Sequence, residues 1–197
     1  MRAPRVLILA AVLWLFPLVA SAAPIVINFD SLSDLDPITT QFLGLTFSDA
    51  TVLSAGVSLN EFEFPPKSGT NVAFDDSGPM AIAFTSPIFS FGGYFTYLEP
   101  LTLTAFDALN NSVATATSAF SSNLALSGDA GSSPNEFLQV LVAGGISRVL
   151  IAGNPAGGSF TLDDATVTAP TSVPEPSTFT LVALGGLFVR RAARRRR

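Results

Sequence analysis

The chain of 197 residues has no cysteine and no histidine. Without cysteine there is no disulfide staple and no thiolate chemistry, so any fold has to rest on its hydrophobic core or on a bound ion. Without histidine, Ser-His-Asp and Cys-His catalysis, His-based acid–base pairs and the usual zinc ligand sets are all excluded. Tryptophan occurs once, at Trp14. Basic residues are scarce away from the ends: Arg2 and Arg5 open the chain, Arg190, Arg191 and Arg194–Arg197 close it, and only Lys67 and Arg148 lie between. Those two stand against fourteen acids over residues 23–172, a formal charge of −12. Such a stretch repels phosphate backbones and anionic membranes, so no nucleic acid partner is expected.

What is present at the N-terminus is an export signal. Arg2 and Arg5 form a positive start, Val6 to Val19 is apolar apart from Pro17, and Ala20-Ser21-Ala22 supplies the small residues that signal peptidase needs. Residues 1–22 are expected to be removed by signal peptidase between Ala22 and Ala23, and Trp14 leaves with them. The remaining protein has no indole for stacking on a sugar.

The other end carries a second address. Val173-Pro174-Glu175-Pro176-Ser177 is followed by an apolar run from Thr178 to Val189 and then by the arginine cluster. Each proline fixes φ and disfavours helix at the residue before it, so the motif is held extended and accessible. The run of 12 residues spans only ~18 Å as a helix, against a bilayer core of ~30 Å. Arginines after an apolar segment suit the cytoplasmic side of a membrane. This order of motif, greasy segment and basic stop resembles the PEP-CTERM sorting signal of Gram-negative bacteria. The resemblance implies that an exosortase, a membrane transpeptidase, processes the chain at Val173–Ser177, with those residues as substrate. It also implies a protein exported, transiently held in the membrane by a C-terminal hydrophobic helix, and delivered to the cell surface or outside the cell. Members of this family have longer apolar runs than Thr178–Val189.

Residues 23–172 read as one all-β domain. Short runs rich in Phe, Val, Thr and Ala are bounded by turn residues: Ile25–Phe29, Thr51–Leu53, Asn71–Phe74, Met80–Thr85, Gly92–Leu98, Leu101–Phe106, Phe137–Val142, Arg148–Ile151, Ser159–Leu162 and Ala165–Thr168. Gly92–Leu98 and Leu101–Phe106 are expected to form a hairpin about Glu99-Pro100, and Gly144-Gly145 and Gly157-Gly158 to mark loops or bulges. Leu101, Leu103 and Ala105 share one face, as do Ile82 and Phe84. No amphipathic helix and no repeat period stands out. The expected architecture is a β-sandwich, jelly-roll-like.

Three groups of residues are candidates for chemistry. Asp30 at the end of the first strand and Asp163-Asp164 on the last are candidate calcium ligands, with Asp75-Asp76 in a turn. Hard cations take converging carboxylates, although strand-end aspartates also serve ordinary turns. The pieces Asn28-Phe29-Asp30 and Phe160–Asp164 loosely resemble jelly-roll carbohydrate-binding modules, which implies a structural calcium. The cluster Phe89, Phe91, Tyr94, Phe95 and Tyr97 reads mainly as core, with Tyr94 and Tyr97 able to offer hydroxyls to a sugar. Glu61 and Glu63, if on a strand, point the same way, and paired carboxylates are what a glycosidase needs. Two acids before Pro65-Pro66 also fit a solvated edge. Asn60–Pro66 and Phe91–Phe95 look like segments of secreted PEP-CTERM ectodomains of unassigned role. Proteins with this tail tend to occur in exopolysaccharide-producing bacteria, which implies a non-enzymatic structural or glycan-associated protein of a biofilm matrix. The alternatives are a secreted carbohydrate hydrolase acting through Glu61 or Glu63, and an adhesin or ice-binding surface. The last needs a flat Thr-rich face, of which Thr115-Ala116-Thr117 is the one sequence hint.

Overall fold

Residues 23–169 are described by the computed structural model. Residues 1–22, expected to be a signal peptide, the Val173–Ser177 motif, the apolar segment 178–189 and the basic tail lie outside the described residues. Those described hold nine β-strands and no helix: β1 (Ile25–Ile27), β2 (Leu45–Ser48), β3 (Ala50–Ser54), β4 (Asn71–Asp75), β5 (Met80–Tyr97), β6 (Thr102–Phe106), β7 (Ser112–Thr117), β8 (Glu136–Ala152) and β9 (Phe160–Thr168). All pairings are antiparallel and run β3-β4-β9-β5-β8-β6-β7, with β1 added to β9 and β2 to β5.

Two strands set the architecture. β5 has 18 residues and β8 has 17, more than any other strand. The first part of β5 pairs with β2 and with the end of β8, which pairs in turn with β6 and β6 with β7. The second part of β5 pairs with the start of β8 and with β9, which carries β4 and β1 on its far side. Between these parts the β5–β8 register shifts around Ile88. Pro87 lies at that corner on β5, where it removes an amide, and Gly145 opposite it takes φ 94°, with room for no side chain against the Pro87 ring. A straight strand from Phe84 to Phe91 would cover ~23 Å at ~3.3 Å per residue, yet the two rings lie 6.1 Å apart. The sheet therefore folds over on itself at the corner, and its two layers enclose the core.

Alternation fills that core. Met80, Ile82 and Phe84 from one part of β5 face Phe91, Phe95 and Tyr97 from the other, with Leu101, Leu103 and Ala105 of β6 and Phe160 and Leu162 of β9. Phe29, Phe42 and Phe47 close one side with ring centroids 5.6–6.2 Å apart. Each fully buried Phe or Leu contributes roughly 1.5–3 kcal/mol of transfer free energy, which is how a chain without disulfides holds this shape.

The all-β reading and the inward faces of Met80–Phe84 and Leu101–Ala105 hold. The hairpin does not: β8 lies between β5 and β6, so the strands on either side of Glu99-Pro100 are not paired. Three pairs of short expected strands are instead single long ones, because Pro87, Gly144-Gly145 and Asp163-Asp164 bend or kink a strand without ending it. β2 and β7 were not foreseen; their outward faces are polar and short, and each pairs along one side only.

Candidate functional site

The first and last strands bring the candidate calcium acids to one loop. Asp30 Oδ1 accepts the amides of Thr70 (2.8 Å) and Asn71 (3.0 Å). Asp163 Oδ2 accepts the amides of Lys67 (2.7 Å) and Ser68 (2.9 Å), and its Oδ1 accepts the amide of Asp164 (2.7 Å). Asp164 Oδ1 accepts the Ser68 hydroxyl at 2.8 Å. The three acids thus clasp residues 67–71 from both ends. Gly69, at φ 56°, lies so close over the Asp30 carboxylate that a Cβ would sit 1.9 Å from Oδ2. Charge-assisted bonds of this kind are worth roughly 1.5–3 kcal/mol each. Among the described residues no three acidic side chains come together as a group able to hold a metal. Asp30 Oδ1 and both oxygens of Asp163 face backbone amides, and Asp164 Oδ1 faces a hydroxyl. Asp163 is buried, and burial pushes its carboxyl above the usual carboxylate range, while the Ser68 amide pulls it back.

Asp75, read from sequence as a turn residue, is the last residue of β4 and fully buried. Its carboxylate accepts the amides of Ser159 and Phe160, both at 2.8 Å to Oδ1, and the Ser159 hydroxyl at 2.8 Å to Oδ2. Its own carbonyl accepts the Gly158 amide at 2.6 Å. Burial raises the Asp75 carboxyl above its ordinary value, with the Phe160 amide opposing. The turn signal was real but was read one residue too early: Asp76 to Pro79 make the turn, and Asp75 belongs to the interior. It stands apart from the Asp30–Asp163 clasp.

The two tyrosines separate. Tyr97 is fully buried, and its hydroxyl donates to Glu136 Oε2. Burial, then that carboxylate, push its phenol up to about 12. It offers nothing to a ligand, which corrects the expectation for its hydroxyl; Phe91 and Phe95 are likewise core. Tyr94 stays half-buried on the outer face, packed on Phe137 with centroids 5.1 Å apart. Lys67 Nζ stands 4.3 Å from its ring centroid. Arg148 lies over Phe106 at 3.9 Å in the same way and donates to Asn110 Oδ1 at 2.7 Å. Both cations of residues 23–169 are therefore seated on aromatic rings, a partnership worth roughly 0.5–1 kcal/mol at exposed sites. Asn123, overlooked among loop serines, is fully buried: its Oδ1 accepts the Tyr97 amide (2.7 Å), and its Nδ2 donates to the carbonyls of Phe95 (2.9 Å) and Ser133 (3.0 Å). It extends the β5 ladder past the point where β8 begins.

Glu61 and Glu63 lie in a turn, not on a strand, which removes the expected parallel aim. Glu63 Oε2 accepts the amides of Leu126 (3.0 Å) and Ser127 (3.2 Å), and the Leu126 bond leads in holding its carboxyl below the usual value. The Thr motif gains partners instead: Thr117 stands opposite Thr102 and Thr115 opposite Thr104, on the face away from buried Leu103 and Ala105. A shallow apolar cavity of about 380 Å³ opens between β1 and β2, lined by Ile25, Ile27, Phe42, Leu43, Leu45 and Val167 among others. Its residues are scattered through the sequence, so no local motif announces it.

Beyond the described domain, residues 172–197 match the family model of the PEP-CTERM protein-sorting motif. The chain carries a PEP-CTERM sorting signal. PEP-CTERM signals mark export and membrane-anchored sorting, and exosortases process them. No curated protein matches the chain. Among solved structures, the chain is similar to the K2 cleaved adhesin domain of Lys-gingipain, at 14% identity over 74% of this chain and 99% of that one, with a TM-score of 0.48. It is also similar to the K1 cleaved adhesin domain of Lys-gingipain from Porphyromonas gingivalis W83, at 11% identity over 76% and 99%, with a TM-score of 0.43. Likeness at this level transfers no activity.

Proposed function

We propose that residues 23–172 are a non-catalytic ectodomain, freed from the signal peptide 1–22 and delivered through the sorting signal 173–197 to the cell surface or extracellular matrix, where it has a structural, exopolysaccharide-associated role. The observation that carries the reading is that the sorting signal is joined to a domain in which most of the candidate site acids already accept hydrogen bonds from their own chain. Asp30, Asp75, Asp163 and Asp164 each accept hydrogen bonds from neighbouring loops, and Glu63 accepts two amides. None is left as a free pair across a cleft, as glycoside hydrolysis requires. The charge of −12 favours neutral polysaccharide over anionic polymers, since like charges repel. Tyr94 with Phe137 supplies the half-exposed aromatic surface for such a contact.

The test is binding of the purified protein to the producer's own exopolysaccharide, in calcium and in EDTA. Binding that is equal in both and weakened by Tyr94→Ala supports the reading. No binding in either condition overturns the glycan part, and turnover of the polymer that is lost in Glu61→Gln or Glu63→Gln overturns the non-catalytic part.

A second reading, an ice-binding surface, has the paired Thr102–Thr117 and Thr104–Thr115 rows behind it. Thermal hysteresis abolished by Thr115→Leu would establish it. Cross-strand threonine pairs also stabilise a ladder by roughly 0.2–1 kcal/mol without any ligand, and a plain stability loss in that variant assigns them to the ladder.

A further inference from the structure

The sheet has edges of different kinds. The outer edge of β3 is sealed by the chain before it: Leu35 donates to the Val52 carbonyl, Val52 to that of Asp36 and Ile38 to that of Ala50, at 2.8–2.9 Å. The start of β8 is different. Its residues pair with β5 on one side, while β6 pairs only with Arg148–Ala152 at its other end. Among the described residues no backbone hydrogen bond reaches the outer edge from Phe137 to Val142. An open strand edge is a row of unpaired donors and acceptors, and proteins usually guard it with lysine, proline or a bulge. The sequence Phe137-Leu138-Gln139-Val140-Leu141 holds none of these guards, and the register irregularity of β8 begins only after Leu141. Phe137 is 44% exposed and Leu141 58% exposed.

We propose that this edge of β8 joins a second copy of the same chain, strand to strand and antiparallel, about a two-fold axis at Gln139. The segment is self-complementary in that register. Phe137 meets the partner's Leu141, Leu138 meets the partner's Val140, Gln139 meets itself, and Glu136 meets the partner's Val142. Aromatic–aliphatic and aliphatic pairs are the favourable kind across a ladder, and no like charges meet. Charge also selects the site. Two domains of −12 repel, and the outward residues Phe137, Gln139 and Leu141 form an uncharged strip on which they can approach. Glu136, at the end of the strip, is turned to the Tyr97 hydroxyl and the Ala119 amide. Of the other open edges among the described residues, β1 offers only the three residues Ile25–Ile27, and β7 carries serine, threonine and alanine outside and a register irregularity at Phe106, so it lacks the apolar anchors. Pairing of this kind is isologous and closes at two copies.

The absence of cysteine makes the test clean. In the full chain, purified in non-ionic detergent, Gln139→Cys is oxidised and run without reductant, beside Thr115→Cys on β7. Facing residues of an antiparallel pair lie ~4.5–5.5 Å apart, within disulfide reach. The expected result is a covalent dimer for Gln139→Cys in several-fold higher yield than for Thr115→Cys, and its loss when Leu141→Lys is added. Association through the hydrophobic tail would not favour position 139. Equal yields at the two positions, a monomer in both, or a yield unmoved by Leu141→Lys overturns the proposal. Leu141 is exposed, so the double variant keeps its fold, and its melt is compared with that of Gln139→Cys to verify this.

Discussion

Ser159 binds the carboxylate of Asp75, 84 residues earlier in the chain, through both its amide and its hydroxyl. This buried contact ties the end of β4 to the start of β9, and the first prediction concerns it. Asp75→Ala leaves the amides of Ser159 and Phe160 and one hydroxyl without partners, at roughly 1–3 kcal/mol for each unsatisfied group. We expect a loss of at least about 3 kcal/mol by the same count, seen as a lower denaturant midpoint with an unchanged slope. Asp75→Asn loses less, because it keeps one accepting oxygen but turns a donor towards donors. A midpoint equal to that of the wild type would show that the carboxylate does not hold these loops.

The second prediction concerns pH. Burial raises Asp75 and Asp163, whereas hydrogen bonds lower Glu63 and Asp107. A raised folded value contributes stability that is fully present below the unfolded value, ~3.9 for aspartate, and is lost as pH rises through the folded value. A lowered value contributes the opposite: stability present above the unfolded value and lost as pH falls through the folded one. The raised pair therefore acts above about pH 3.9, and the lowered pair below unfolded values of about 3.9 and 4.3. Replacing the lowered pair (Glu63→Gln with Asp107→Asn) should give a melting temperature that falls less than the wild type's once the pH drops below about 4.3. Melts at four pH values check this, and a steeper fall in the double variant contradicts it.

Sequence and structure diverge where distance along the chain misleads. The alternation of Met80–Phe84 and of Leu101–Ala105 is a local property and survives in the fold. The Glu99-Pro100 hairpin fails because β8, arriving some forty residues later, is inserted between the two strands. Pro87 and Gly144-Gly145 carry the same local signal whether a strand stops or bends; only their meeting across β5 and β8 decides for the bend. Asp30 and Asp163-Asp164 were legible as a group because the first and last strands do adjoin. Their partners were not, since the loop 67–71 that they clasp has no charge pattern opposing theirs beyond Lys67. Tyr94 and Tyr97 sit three apart on one strand and so on opposite faces, which sends one to solvent and the other into the core.

The third prediction follows from the clasp. Because backbone amides occupy Asp30 Oδ1 and both oxygens of Asp163, melts in millimolar calcium and in EDTA should agree within about 1 °C, as a ligand stabilises only if it binds the native state. Gly69→Ala, in contrast, drives a methyl into the Asp30 carboxylate at a left-handed φ and should cost roughly 1–3 kcal/mol. A calcium-dependent rise in melting temperature that disappears in Asp163→Asn would reinstate these acids as ligands.

Strain gives the fourth. Leu35 holds φ 61° and is 63% exposed, so its side chain gains little from its place. A left-handed β-carbon costs roughly 1–2 kcal/mol outside glycine and asparagine. Leu35→Asn should therefore stabilise the protein by about 0.5–1 kcal/mol, read as a raised denaturant midpoint. A lower midpoint would mean that the leucine has packing of its own to lose.

The position of β9 bears on how the protein withstands force. The sorting signal follows this strand in the chain, so tension from an anchored tail enters the domain at Thr168. β9 is not at a margin: β5 flanks it on one side, and β4 and β1 on the other. A pull along it loads two ladders in shear together, and many bonds must yield at once, where a strand at a margin would peel away one bond at a time. The attachment point thus coincides with one of the best-buttressed strands in the sheet, which suits a domain tugged by flow or by a moving polymer.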